Sequence, residues 1–162
     1  MSGIRWATSC REFSLEIGCN PMRQMQAICD RAESAETGGI LIGYYTPDLT
    51  TLVVTEASPP PPDSCHSYSW FERGVIGLRK RLLRRWRAEP RTYYVGEWHH
   101  HPTSDVLPSK LDFDEMNQIG QTSSYRCSAP VLVIIGKANP VRNIRAWVFP
   151  RDRPCIEFNG ES

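Results

Sequence analysis

Apolar and polar residues alternate over residues 11–19, with Phe13, Leu15 and Ile17 on one side. This period of two marks a strand with one buried face. The period changes at Asn20-Pro21. Asparagine suits an N-cap, proline suits the first helical position, and Met22, Met25, Ile28 and Cys29 then recur at helical spacing, so a helix is predicted to about Ala32. Thr37–Tyr45 (TGGILIGYY) is apolar on both sides, as in a central strand covered on each face. Pro47-Asp48 marks a turn, and residues 49–57 read as its hairpin partner. The four prolines at 59–62 stop regular structure, leaving 58–68 as a loop long enough to serve as a flap. Residues 69 to about 88 follow helical spacing, with a stripe of Val75, Leu78, Leu82 and Trp86, and Ser69 and Glu72 stand at capping-box spacing. A strand over 93–99, a loop over 102–108 and a helix from Ser109 to about Gln121 come next. Strands at 131–136 and 144–149 flank an Asn139-Pro140 turn, 155–158 forms a short last strand, and 160–162 a frayed end.

The order β-α-β-β-α-β-α-β-β mixes hairpins with helices. It predicts an α/β (α+β) fold, a mixed sheet flanked by helices. A chain of 162 residues, 40 % hydrophobic, fits one domain over 1–162 with a single core, and neither repeat nor linker interrupts it. A net charge of +1 gives no global attraction to nucleic acid or to an anionic membrane. No apolar run approaches the roughly 18 residues that span a bilayer, and residues 1–11 lack an apolar signal core. A cytoplasmic protein is expected. None of the six cysteines forms a C-x-x-C pair, so they are expected to be reduced and several of them buried.

Candidate chemistry is concentrated in the stretch from Glu97 to Asp112. His99 and His101 are two apart, so a strand that persists to Pro102 presents both imidazoles on one face and His100 on the other. Ser109 and Asp112 have N-cap and N3 spacing, and the free N–H groups of a helix start favour a carboxylate. Two histidines and an aspartate suit zinc with a fourth position left for water. Glu36, just before the glycines that open the buried strand, is the candidate proton shuttle, and Ser109 a candidate donor to an oxyanion. His-x-His alone also describes ordinary surface histidines; the joint pattern carries the reading. Glu97 is a rival acid/base, better placed for a salt bridge. The cations at 79, 80, 81, 84, 85, 87 and 91 read either as a solvated helix face or as a patch for an acidic partner, and His66 as a surface imidazole or a ligand.

The pattern His99-x-His101-Pro102-x6-Ser109-x2-Asp112, with Glu36-x-x-Gly39-x-x-x-Gly43 upstream, resembles the JAMM motif of the JAB/MPN metalloprotease family. The element order is similar over about 12–149. The resemblance implies a cytidine deaminase-like sandwich, zinc held by His99, His101 and Asp112, a water activated by Glu36 and an oxyanion supported by Ser109. Gly96-Glu97-Trp98-His99-x-His101-Pro102 further resembles the JAB proteins of bacterial E1–E2–JAB anti-phage operons of the CBASS type. That implies an isopeptidase that releases a protein attached through its C-terminus to a lysine. The attached protein would be a CD-NTase or a ubiquitin-like protein, its extended tail laid along a sheet edge. The E1/E2-like enzyme of the same operon would be a further partner. Two rivals remain: a non-catalytic modifier-binding module, and a JAB hydrolase of sulfur-carrier or small-molecule conjugates.

Overall fold

The computed structural model describes residues 3–103 and 105–160. Its elements run β1 (Ile4–Thr8), β2 (Ser14–Ile17), α1 (Cys19–Ala32), β3 (Thr37–Tyr45), β4 (Thr51–Ala57), β5 (Cys65–His66), β6 (Phe71–Glu72), α2 (Leu78–Arg87), β7 (Tyr93–His101), α3 (Lys110–Gln121), β8 (Val131–Ala138), β9 (Arg142–Val148) and β10 (Ile156–Gly160). A mixed sheet with helices is what the periodicity implies. Where a layered sandwich is expected, however, hydrogen bonding continues into a closed ring, β1-β10-β9-β8-β7-β3-β4-β2. The ring is shut by β1, which the periodicity does not reveal, pairing antiparallel with both β2 and β10. Only Thr8 of β1 is fully buried, so its five residues carry little alternation to detect. The expected frayed end also differs: Gly160 pairs with Trp6. Glu161 and Ser162 lie outside the described residues.

Strands covered on both faces divide the interior in two. Val131, Val133 and Ile135 of β8 join Leu15, Ile17, Leu52, Trp98 and the Met22–Met25–Cys29 face of α1. Leu132 and Ile134, pointing the other way, join Ile40, Ile42, Trp147 and the α3 residues Met116 and Ile119. All five β8 residues from Val131 to Ile135 are 0 % exposed, each contributing roughly 1.5–3 kcal/mol of apolar burial. Among the described residues no helix is long and apolar enough to cross a membrane.

Two helix starts differ from expectation. The N-cap of α1 is Gly18, so Asn20 and Pro21 lie within the first turn. The helix expected from Ser69 begins at Leu78. Phe71 and Glu72 are strand instead, and the Asp63 carboxylate takes the backbone N–H groups of Val75 and Ile76. Gly77, left-handed at φ 86°, then starts the helix. Val75 is consequently exposed rather than part of an apolar stripe, whereas Leu78 and Leu82 pack against the second core. Arg81 and Arg85 both pair with the buried Glu56 of β4, anchoring α2.

One irregularity sets which side chains of β7 reach the α3 face. Leu41 pairs with Gly96 but Ile42 pairs with Tyr94, so Val95 is an extra residue in β7. Such a bulge shifts the alternation by one. Tyr94 and Glu97 therefore share the α3 face, as their 2.9 Å hydrogen bond shows, and the odd-numbered residues beyond Glu97 stay on it. Gly96 sits at φ 157°, where a Cβ would meet the Val131 carbonyl oxygen at 1.9 Å. Gly96→Ala is expected to cost about 1–3 kcal/mol in urea denaturation of the purified protein; an unchanged midpoint would show that the bulge accepts a side chain.

Candidate metal centre

β7 remains extended through His101, so His99 and His101 lie on one face with ring centroids 6.4 Å apart. His100 points to the opposite face, where its Nε2 lies 3.3 Å from Nη1 of Arg142, which also binds Asp30 and the Gly136 carbonyl. Burial, reinforced by the Arg142 charge, holds His100 down at about 4. A neutral, buried imidazole on that side belongs to the packing and not to the site.

The carboxylate arrives from α3. Ser109 is the N-cap, its Oγ accepting the Asp112 backbone N–H at 3.1 Å, while the Ser109 backbone N–H donates to Asp112 Oδ2 at 2.7 Å. This capping box turns Asp112 inward. Asp112 Oδ1 meets His99 Nδ1 at 2.8 Å and Oδ2 lies 3.5 Å from His101 Nε2. The other nitrogen of His101 faces the Asp105 carbonyl at 3.3 Å, which orients the ring. His99, His101 and Asp112 are all buried and offer ligand atoms within 4.8 Å of one another. Donors that each lie about 2 Å from one ion stand at most about 4 Å apart, so small side-chain adjustments bring the three onto a shared ion. Two nitrogens and a carboxylate oxygen, gathered in a buried pocket of side chains, fit a divalent cation of the zinc type. Burial pushes the Asp112 carboxyl up, but the hydrogen bond and charge of His99 and the two Ser109 bonds outweigh it, leaving it ionised down to about 2. Burial lowers His101, whereas for His99 the Asp112 bond overcomes burial and raises it.

Glu36 immediately precedes β3, which runs antiparallel to β7 with Thr37 opposite His100 and Gly38 opposite His99. A Cβ on Gly38 would lie 2.2 Å from the Trp98 carbonyl and 2.9 Å from the His99 ring, so a glycine is needed to bring the strands this close. Burial, then the nearby Asp112 charge, push the Glu36 carboxyl up to about 7, with His99 opposing. Among the described residues its carboxylate oxygens have no hydrogen-bond partner, whereas its backbone N–H donates to the Ser67 carbonyl at 2.8 Å. All five residues singled out in the sequence therefore converge, Ser109 at the exposed rim and the other four buried.

Other neighbours were only partly legible. Glu97 is on the histidine face, but Arg73 Nε at 2.7 Å and Tyr94 Oη at 2.9 Å occupy its two oxygens, which matches the salt-bridge expectation. Phe71 packs edge-on against His99 at 5.7 Å, and His66 Nδ1 faces the Glu36 carbonyl at 3.0 Å. Phe71 and Arg73 fall in a stretch of helical spacing, which conceals their reach. Glu115, half-buried on α3, feels the charges of His99 and Asp112; its spacing of three from Asp112 is the available clue.

Comparison with known proteins agrees with this geometry. A family model described as prokaryotic homologs of the JAB domain matches residues 21–150. A protein of Enterobacter hormaechei subsp. hoffmannii (strain UCI 50), named CD-NTase/cGAS isopeptidase, is 43 % identical over 124 residues, covering 76 % of this chain and 68 % of that one. A protein of the same name from Pseudomonas aeruginosa (strain BWHPSA011 / Pa011) is 33 % identical over 132 residues, covering 80 % and 81 %. The solution structure of protein DSY2949 from Desulfitobacterium hafniense superposes with a TM-score of 0.57 at 19 % identity, covering 90 % of this chain and 88 % of that one, a likeness of fold alone. The matched span contains Glu36, both histidines, Ser109 and Asp112, and the chain belongs to the prokaryotic JAB domain family.

Proposed function

We propose that this protein is a metal-dependent isopeptidase that releases a CD-NTase, or a ubiquitin-like protein, joined through its C-terminus to a lysine. The buried His99–His101–Asp112 cluster beside Glu36, whose carboxylate has no hydrogen-bond partner among the described residues, carries the reading; two relatives named CD-NTase/cGAS isopeptidase support the substrate class. Residues 1–162 would act as one JAB/MPN unit in the cytoplasm, with the E1/E2-like enzyme of the same operon as a further partner and no role for nucleic acid. His99, His101 and Asp112 would hold zinc.

When bound, that ion supplies Lewis acidity toward the scissile carbonyl and toward a nucleophilic water. Glu36 takes a proton from the attacking water, the C–N isopeptide bond breaks, and Glu36 returns the proton to the departing lysine Nζ. Burial favours the protonated form of this carboxyl, which suits the return of the proton to the amine. Ser109 stabilises the oxyanion. Its oxygen accepts the Asp112 N–H, and its hydroxyl hydrogen, which also serves the Asp112 carboxylate, would turn to the oxyanion. Arg73 and Tyr94 keep Glu97 out of the proton path. Each ring strand has a neighbour on both sides, so a tail that adds as a strand would use the β5–β6 hairpin.

A conjugate of the CD-NTase or the ubiquitin-like protein with a second protein tests the function directly. Wild type is expected to cut at the junction, chelator-treated enzyme to be silent, and Glu36→Ala to turn over about 10²–10⁴-fold more slowly while keeping its metal. Wild-type turnover by Glu36→Ala would remove Glu36 from the mechanism. No cleavage by zinc-loaded wild type would shift weight to a binding module or to small conjugates. For the ligand set, metal analysis of His99→Ala and Asp112→Ala is expected to show loss of the tightly bound ion; retention by both would refute the assignment. Ser109→Ala is expected to lower kcat about 10²–10³-fold and stability by about 1 kcal/mol, since it removes both donor and cap. A change in stability alone would leave Ser109 as a cap.

A further inference from the structure

The chain between β4 and α2 is not needed to hold a metal, yet it is built as a unit. Asp63 accepts the backbone N–H groups of Val75 and Ile76 at 2.9 Å, and Ser64 Oγ accepts that of Gly74 at 2.9 Å, which ties the two ends of 63–76 together. Between them β5 and β6 pair, and the Ser67 N–H closes the tip onto the Trp70 carbonyl at 2.9 Å. A loop closed by its own contacts is a compact body that moves as one piece.

Beyond a 3.3 Å hydrogen bond from the Thr103 hydroxyl to the Tyr68 carbonyl, this body meets the site at three points. It grips the Glu36 backbone on both sides, through the Ser67 carbonyl and the His66 ring. It places Phe71, 5 % exposed, edge-on against His99. Third, Arg73 reaches β7: its Nε donates to Glu97 at 2.7 Å and its Nη1 to the Gly74 carbonyl at 2.8 Å, with side chains of Arg73 and Glu97 13 % and 5 % exposed. Among the described residues it is the one ion pair between this body and the strand that carries the histidines. Opening a buried ion pair strands a charge away from water, so the contact is strongly all-or-none.

We propose that the Arg73–Glu97 pair is a positioning latch: it clamps the β5–β6 hairpin to β7 and so holds the Glu36 carboxylate and the His99 imidazole in mutual register. The latch touches neither substrate nor metal. It rests on the roles given above to Glu36 and His99, and it deepens them by naming what keeps the two strands' side chains aligned.

Metal-loaded wild type, Arg73→Met, Arg73→Lys and the double variant Arg73→Met/Glu97→Gln would be compared by hydrogen exchange, by visible absorption after cobalt substitution, and by kcat and KM on the conjugate. The double variant removes both charges, so it covers the case in which Arg73→Met alone fails to fold. The latch requires exchange of the 65–72 amides to rise about tenfold or more in Arg73→Met and the double variant, with β8 protection kept. It also requires an altered cobalt spectrum with metal retained, and a kcat about tenfold lower at little-changed KM. Arg73→Lys should recover part of each loss. Unchanged hairpin exchange in the double variant would overturn the proposal, as would loss of protection spread equally through β8, which would reveal only general destabilisation. If wild type cleaves no conjugate, exchange and the cobalt spectrum still decide the latch, and the failure belongs to the substrate assignment.

Discussion

The Asp112 carboxylate joins the two halves of the site. One oxygen takes the Ser109 backbone N–H and so ends the loop and starts α3; the other takes His99 Nδ1 on β7. A helix start favours a negative charge, and a buried imidazole favours a partner for its N–H. One side chain meets both demands, and the registration of helix against strand follows. Removing it would leave Ser109 with half a cap and His99 with a buried nitrogen lacking its partner, so folding and metal capture are coupled at this residue.

The strand side of this arrangement depends on packing. Trp98, fully buried and adjacent to His99 on the opposite face of the strand, donates its indole N–H to the Ser58 carbonyl at 3.0 Å and fixes the depth of β7 from behind. β3 and β8 flank β7 on either side, one antiparallel and one parallel. The imidazoles thus stand on a strand with little freedom to shift, which is the preorganisation a three-donor site needs. The hairpin body over 63–76 meets the site through fewer contacts. Its contacts to the site are a few hydrogen bonds, one ring contact and one ion pair.

Much of this was legible because it is local. The two-residue spacing of His99 and His101, the three-residue spacing of Ser109 and Asp112, and the uninterrupted apolar run of β3 each specify geometry within one element. Glu36 was legible from its place before the glycines of the buried strand and from its motif, but its approach to the histidines was not local, since Gly38 meets His99 across the sheet. The missing parts are those in which a distant partner decides. Helical spacing from Ser69 was genuine, but Asp63 captured the amides of Val75 and Ile76 and delayed the helix to Leu78. β1 carries too few buried residues to announce itself, and its strand character comes from β2 and β10. The bulge at Val95 is visible only once β3 is laid beside β7.

Closure of the ring by β1 bears on how this protein survives in crowded company. An open sheet ends in rows of unpaired N–H and C=O groups that can recruit any extended chain, including another copy's strand. Here each of the eight ring strands has neighbours on both sides, and the exposed hairpin has strands of only two residues. Closure thus reduces the edge that a protein with extended tails as its proposed substrates offers to fibrous assembly, leaving 142–146 of β9 with a strand on one side only.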